Sequence, residues 1–227
     1  IVVIPHAHQS GDYRLNDPQL EPLVEIMSHH GTYEWFGRMY LKQGHQIGFT
    51  AASDNHLSQP GYTAPKGGSL SQSGGIGAIR SHEKTRDALF DAMKDLSTYA
   101  TTGERIILDV AINGYEMGQR APFASTRKIT GRVIGTAPIE NISIIKNEES
   151  IFSRDYLESG TSNSSSRSGK YQITFSSSSE PLNRGDNPRG WRTWKGKLEL
   201  KNAEFAGGKI SNYRNSNLQS FCLLYTS

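Results

Sequence analysis

Histidine is unevenly placed in this chain of 227 residues. All seven, His6, His8, His29, His30, His45, His56 and His82, fall within the first 82 positions. Imidazole titrates near neutrality and binds transition metals, so acid/base or metal chemistry belongs to this part of the chain. His6 and His8 follow the apolar run Ile1-Val2-Val3-Ile4 and Pro5. His29 and His30 follow Leu23-Val24-Glu25-Ile26-Met27-Ser28. Asp54 and His56 follow Ile47-Gly48-Phe49-Thr50-Ala51-Ala52-Ser53. Three apolar runs thus end in the same donor chemistry.

In parallel α/β sheets the C-terminal ends of strands are where sites assemble. A metal site needs several nitrogen and oxygen donors from separate elements, and imidazole with carboxylate suits zinc, manganese or iron. Asp54 and His56, two residues apart past a strand end, can reach one centre if the chain bends there. Each residue also has a plain reading. His6 and His8 fit an ordinary loop, and one of two neighbouring histidines often only supports the other. Glu25 inside an apolar run is costly unless paired or metal-bound, but it can also form a salt bridge facing outward. His29-His30 offers one ligand and one bystander. Asp54 suits a turn. His45 and His82 read as solvated surface.

The elements that would position these groups are short. Residues 1–4 are β-branched throughout, the look of a strand buried on both faces. Residues 34–43 read as a helix closed by Gly44, and Thr85 as the N-cap of a helix reaching about Tyr99, with Leu89, Phe90, Met93 and Leu96 on its buried stripe. Residues 58–79, rich in Gly, Ser, Gln and Pro, read as a long loop. From Ile106 the period becomes two: Ile106, Leu108, Val110 and Ile112 alternate, and Asn113-Gly114 signals a hairpin. Further strands are expected at 129–134, 142–145, 171–175 and 194–200, with a Ser-rich loop at 159–169.

Composition narrows the function classes. Net charge is +3, with no block of Lys or Arg and no basic stripe interleaved with aromatics, which argues against nucleic acid as a partner. No apolar run approaches the roughly 20 residues that span a bilayer. Cys222 is the single cysteine, so no internal disulfide forms, and it reads as a small apolar residue. The chain starts at Ile1 rather than Met, and residue 1 is expected to be an internal point of a longer protein. The compartment stays open, cytoplasmic or extracytoplasmic.

The ordered series Ile4-Pro5-His6-Ala7-His8, then Leu23 through Gly31 with Glu34, then Gly48 through His56, resembles the later metal-binding motifs of the PHP (polymerase and histidinol phosphatase) superfamily. It is most similar to a PHP-like family of uncharacterised proteins, domain of unknown function 3604. Thr98-Tyr99-Ala100-Thr101-Thr102-Gly103-Glu104-Arg105-Ile106 and Ile112-Asn113-Gly114 with Met117-Gly118 resemble it too, so the likeness covers roughly residues 1–118. The resemblance implies His6, His30, Asp54 and His56 as metal ligands, His30 rather than His29. Glu25 and Glu34 match recurrent acidic positions. PHP enzymes also open with a His-x-His motif on the first barrel strand. His6-Ala7-His8 has that spacing but the place of a later motif.

The expectation is therefore an α/β partial barrel over residues 1–103, the second half of a PHP-like α/β barrel, followed by an all-β sandwich-like domain over 104–227. By resemblance the parent would be a metal-dependent hydrolase, phosphoesterase-like, using divalent ions such as zinc, manganese or iron on a small-molecule substrate. Glu25 or His8 would stand behind the ligands or act as acid and base. The metal site within this chain would be incomplete, and the chain alone inactive. The alternative is a non-catalytic envelope or extracellular binding protein that recognises its partner through the β-sandwich, with the barrel as scaffold. Hydrolysis of an amide or ester is a third reading.

Overall fold

The computed structural model describes residues 1–6, 11–57, 59–63, 73–156, 200 and 204–207. The chain opens with β1 (Leu23–Glu25), β2 (Met27–Ser28) and β3 (Gly31–Thr32). Helix α1 (Glu34–Lys42), β4 (Gly48–Thr50) and β5 (Ile76–Ile79) follow, then α2 (Arg86–Lys94) and β6 (Thr98–Thr101). The remainder is β7 (Ile107–Ile112), β8 (Tyr115–Glu116), β9 (Ile129–Ile134), β10 (Asn141–Lys146) and β11 (Glu149–Asp155).

These strands form four two-stranded sheets and one three-stranded sheet, ordered β8-β7-β9. The fold of the described residues is β-rich and contains no closed barrel, which corrects the expected α/β partial barrel. A barrel repeats parallel strand and covering helix around a ring. Here one pair is parallel, β1 with β4, matching Leu23 to Gly48 and Glu25 to Thr50. The helix α2 joins β5 to β6, but these two strands pair antiparallel, so no second crossover unit arises. Residues 1–4 form no strand, and Ile1 is 90% exposed. Their apolar character does not bury them. Val3 N donates to Leu20 O at 2.7 Å and Glu25 N to Pro5 O at 3.2 Å, which ties this segment beside β1 without a ladder.

The core forms around α1. Glu34 in its first turn and Lys42 in its last suit the helix dipole, and Gly44 (φ +84°) takes the left-handed turn that ends it. Trp35, Phe36 and Tyr40 face inward with Val24, Tyr33 and Ile47. Phe36 meets Tyr40 edge-on at 5.3 Å and Trp35 at 5.6 Å between ring centroids. Burying a side chain such as Phe36 contributes about 1.5–3 kcal/mol.

Helix α2 starts where its cap predicts, with Thr85 Oγ1 accepting from Ala88 N at 3.3 Å. It stops at Lys94 rather than near Tyr99. Leu96 turns left-handed (φ 58°), and residues 98–101 pair with β5 instead. Thr98 Oγ1 donates to Phe49 O at 2.9 Å and fastens β6 to β4. The expected stripe of Leu89, Phe90, Met93 and Leu96 is half-buried, and Ala92 is the helix's buried residue.

Beyond Ile106 the two-residue period gives strands. Asn113 (φ 52°) and Gly114 (φ 86°) make the tight hairpin between β7 and β8. β9 pairs along the whole of β7. β10 and β11 form a separate hairpin around Asn147 and Glu148. Nothing describes a second sheet packed face to face on these, so the sandwich is not shown by the described residues. The strand expected at 171–175 lies outside the described residues, as does all of 194–200 except Leu200, which is in no strand.

Candidate metal centre

The parallel ladder delivers the chemistry. Past the ends of β1 and β4 the two segments continue to bond: Ile26 N to Thr50 O at 3.0 Å, Ala52 N to Met27 O at 3.0 Å, His29 N to Ser53 O at 3.2 Å. The next residue on one segment is His30 and on the other Asp54. Their side chains meet, His30 Nε2 lying 3.0 Å from Asp54 Oδ2. His56 Nε2 lies 3.0 Å from Asp54 Oδ1. One carboxylate thus sits between two imidazoles whose ring centroids are 6.1 Å apart. One ligand atom from each of His30, Asp54 and His56 lies within 4.8 Å of the other two.

Local structure explains the convergence. His30 N donates to Ser28 Oγ at 3.1 Å, and the hydroxyl of the buried Tyr33 donates to His30 O at 2.8 Å, so the turn between β2 and β3 is fixed at both ends. Asp54 (φ 51°) and His56 (φ 59°) are both left-handed. Such a conformation costs a non-glycine residue about 1–2 kcal/mol, so the surroundings must hold it. Asn55 does so. It is buried, accepts from Leu57 N at 2.9 Å through Oδ1, and donates through Nδ2 to Tyr62 O at 3.1 Å and Gln59 O at 3.4 Å. The turn role open to Asp54 in the sequence is filled by Asn55, and with Asn55 inside, Asp54 and His56 on either side are turned to the same centre. Sequence reasoning missed Asn55; its side-chain amide beside two candidate ligands was the available signal.

The donor set fits a divalent cation. The His30 and Asp54 side chains are 11% and 19% exposed, whereas His56 is 60% exposed, so the cluster is anchored inside and open on one side. Asp54 Oδ2 is buried and accepts no well-aligned hydrogen bond, although His30 Nε2 is in contact with it. His56 Nε2 hydrogen-bonds to the other oxygen, Oδ1, at 3.0 Å, so Oδ2 keeps lone pairs for a cation. Two imidazoles and one carboxylate are also the donor set of catalytic zinc sites that keep a fourth position open.

A second pair lies beside the first. His6 Nδ1 and Glu25 Oε1 are 2.8 Å apart, and the Glu25 side chain is 11% exposed. Burial pushes the Glu25 carboxyl above its ordinary range; the charge of His6 and its hydrogen bond oppose this, and the charge of Asp54 adds to it. His6 therefore pairs with Glu25 and stands outside the cluster of His30, Asp54 and His56. The side chain of His29 is fully buried and takes no part in that cluster. His8 lies outside the described residues. His45 is not the solvated residue expected: it is half-buried, 5.9 Å from the Tyr40 ring, with Nε2 enclosed. His82 is exposed.

Residues 27–126 match the model of a family described as protein of unknown function, DUF3604. The matched range carries His30, Asp54 and His56. Uncharacterised proteins of Chlamydia are similar to about half of the chain. One from Chlamydia trachomatis serovar D is 33% identical over 117 residues, which is 48% of this chain and 18% of the relative. One from Chlamydia pneumoniae is 32% identical over 117 residues, covering 48% and 18% respectively. One from Chlamydia muridarum is 32% identical over 119 residues, covering 49% and 19%. The similarity thus spans less than a fifth of these curated relatives, whose descriptions assign no activity. The likeness found is to this uncharacterised family, and none of these matches extends it to the PHP superfamily. No solved structure matches the chain.

Proposed function

We propose that His30, Asp54 and His56 hold a divalent metal ion, and that the protein carrying them is a metal-dependent hydrolase of the phosphoesterase-like kind that the PHP resemblance implies. The observation that carries this reading is the convergence of three ligand atoms within 4.8 Å around a buried carboxylate oxygen that accepts no aligned hydrogen bond. Zinc, manganese and iron all suit the donors. When bound, the ion would supply a Lewis acid that lowers the pKa of water and stabilises charge on a phosphoryl oxygen. The chain's own residues do the rest. His30 and Asp54 are fixed by the ladder and orient the site, while His56 stands on its open side. His6 Nδ1 and Glu25 Oε1, 2.8 Å apart, are placed to pass a proton between them beside the centre. His8 stays an acid/base candidate from the sequence alone.

The test is calorimetric titration of zinc or manganese into the chain and its Asp54→Ala variant. Binding that the substitution removes supports the reading; equal affinity in both overturns it. Assay of a generic phosphomonoester beside a His56→Ala control then addresses the reaction.

A second reading, a binding protein that recognises its partner through the β-rich part, draws on the exposed apolar side chains of the β10–β11 hairpin, Ile145 at 57% and Ile151 at 55%. It is favoured if no metal binds.

A further inference from the structure

The approach to β5 passes over the metal centre's backbone with no side chain between. An added Cβ on Gly74 would lie 2.4 Å from Ser53 O, 2.7 Å from Ser53 Cα and 3.0 Å from Ser53 C. These are backbone atoms, which cannot rotate away as the tip of a side chain can. Ser53 O is also the acceptor of His29 N at 3.2 Å. Ser53 directly precedes Asp54, and His29 directly precedes His30. This one oxygen therefore registers the two segments whose next residues meet at 3.0 Å.

Gly74 has nowhere to retreat. Its own N–H donates to Thr63 O at 2.9 Å, and Gly75 N donates to Ala52 O at 2.9 Å, which hold residues 74 and 75 along the extension of β4. On another side stands Gly103, whose added Cβ would lie 2.5 Å from Gly74 O and whose φ of +101° already excludes most side chains. Thr63 Oγ1 donates to Gly103 O at 3.3 Å and Thr101 Oγ1 accepts from Gly103 N at 3.4 Å, closing the contact. Ser53, Gly74 and Gly103 thus stack backbone on backbone behind the ligands.

We infer that Gly74 and Gly103 are positioning residues for the metal centre, setting the His30–Asp54 separation through Ser53 O. The inference rests on the metal-site reading and goes beyond it, since neither glycine is a ligand or touches one. A Cβ at 74 pushes Ser53 O off His29 N and opens the gap between the two ligand-bearing segments. A Cβ at 103 acts one step further back, through Gly74 O, and has the smaller effect.

The experiment is calorimetric titration of zinc or manganese into four proteins: the parent chain, Gly74→Ala, Gly103→Ala and Gly44→Ala, with the thermal midpoint of each metal-free form. Gly44 is the control because it too is left-handed (φ +84°) but has nothing within 4 Å of an added Cβ. The expected result is roughly tenfold or greater loss of affinity in Gly74→Ala, as for other residues that orient ligands. A smaller loss is expected in Gly103→Ala, and an unchanged affinity with a lowered midpoint in Gly44→Ala. Parent-like affinity in both Gly74→Ala and Gly103→Ala overturns the inference. So does a loss of affinity that follows the midpoint in all three variants, which is the mark of a merely structural role. Should Gly74→Ala not fold, the comparison of Gly103→Ala with Gly44→Ala decides. A parent chain that binds neither metal overturns the metal-site reading itself and this inference with it, a result distinct from metal binding that the glycines do not influence.

Discussion

The region from β1 to the Asn55 turn and the region from β9 to β11 are built from similar apolar residues, and they use them in opposite ways. In the first, Leu23, Val24, Phe36 and Tyr40 are almost wholly removed from water around one short helix. In the second, β10 and β11 pair along their length with one register shift between Ile144 and Ile145, yet β11 is exposed along its whole length. Tight turns and backbone pairing suffice to make a hairpin, whereas fixing side chains to within tenths of an ångström takes close packing on several sides. The candidate metal centre lies at the rim of the packed region, with two ligands anchored inside and one reaching out.

The largest expected effect tests the packing itself. Phe36→Ala should destabilise the chain by about 3–5 kcal/mol, read from denaturant unfolding. A loss under about 1 kcal/mol would mean that this region is as loosely packed as the hairpin. Next comes the ion. At a free concentration about 100 times its dissociation constant, zinc or manganese should stabilise the chain by about 2.7 kcal/mol, and this increment should vanish in Asp54→Ala. A metal-induced rise in thermal midpoint that survives the substitution would place the ion elsewhere. Asn55→Ala should cost about 1–3 kcal/mol, because Tyr62 O and Leu57 N lose their partner, and should weaken metal binding at the same time.

Glu25→Gln gives a smaller effect with a definite sign. Burial raises the folded-state pKa of Glu25 above its ordinary 4.5, so the folded chain holds this proton more tightly than the unfolded chain. The stabilisation from the neutral carboxyl is complete below 4.5 and is lost as pH rises through the folded-state value. Glutamine does not titrate, so the stability of metal-free Glu25→Gln relative to the parent should increase across that window. Denaturation midpoints of both proteins from pH 4 upward check it, and a difference that is flat or falls with pH contradicts the assignment. Smallest of all, Phe152→Ala on the exposed hairpin should change stability by less than about 0.5 kcal/mol. A large loss would show that the hairpin is covered after all.

Local rules in the sequence determined a good deal. Gly44 ended α1, Thr85 capped α2, Asn113-Gly114 turned the chain, and the strand expected at 129–134 is β9 with those bounds. Each of these depends on residues a few positions apart. β11 was missed because its side chains bury no face and leave no apolar alternation to read. The residue types at the site were also legible, since His30, Asp54 and His56 stand just past apolar runs.

What only the tertiary structure decided are the relations between segments. Whether residues 1–4 become a buried strand depends on neighbours, and none of the described residues covers Ile1. Whether residues 98–101 continue a helix depends on β5, whose partners lie 19 to 25 residues away in sequence, and on Phe49 O, 49 residues from Thr98. The same apolar runs fit a barrel or a set of small sheets, because periodicity fixes which face of an element is apolar and leaves open what that face meets. The pairing of His6 with Glu25, the enclosure of Asn55 and the contact of Gly74 with Ser53 O likewise join segments that the sequence keeps apart. Donor types are written residue by residue, but the separation of two donors is set by packing and by backbone hydrogen bonds that close only when the chain folds.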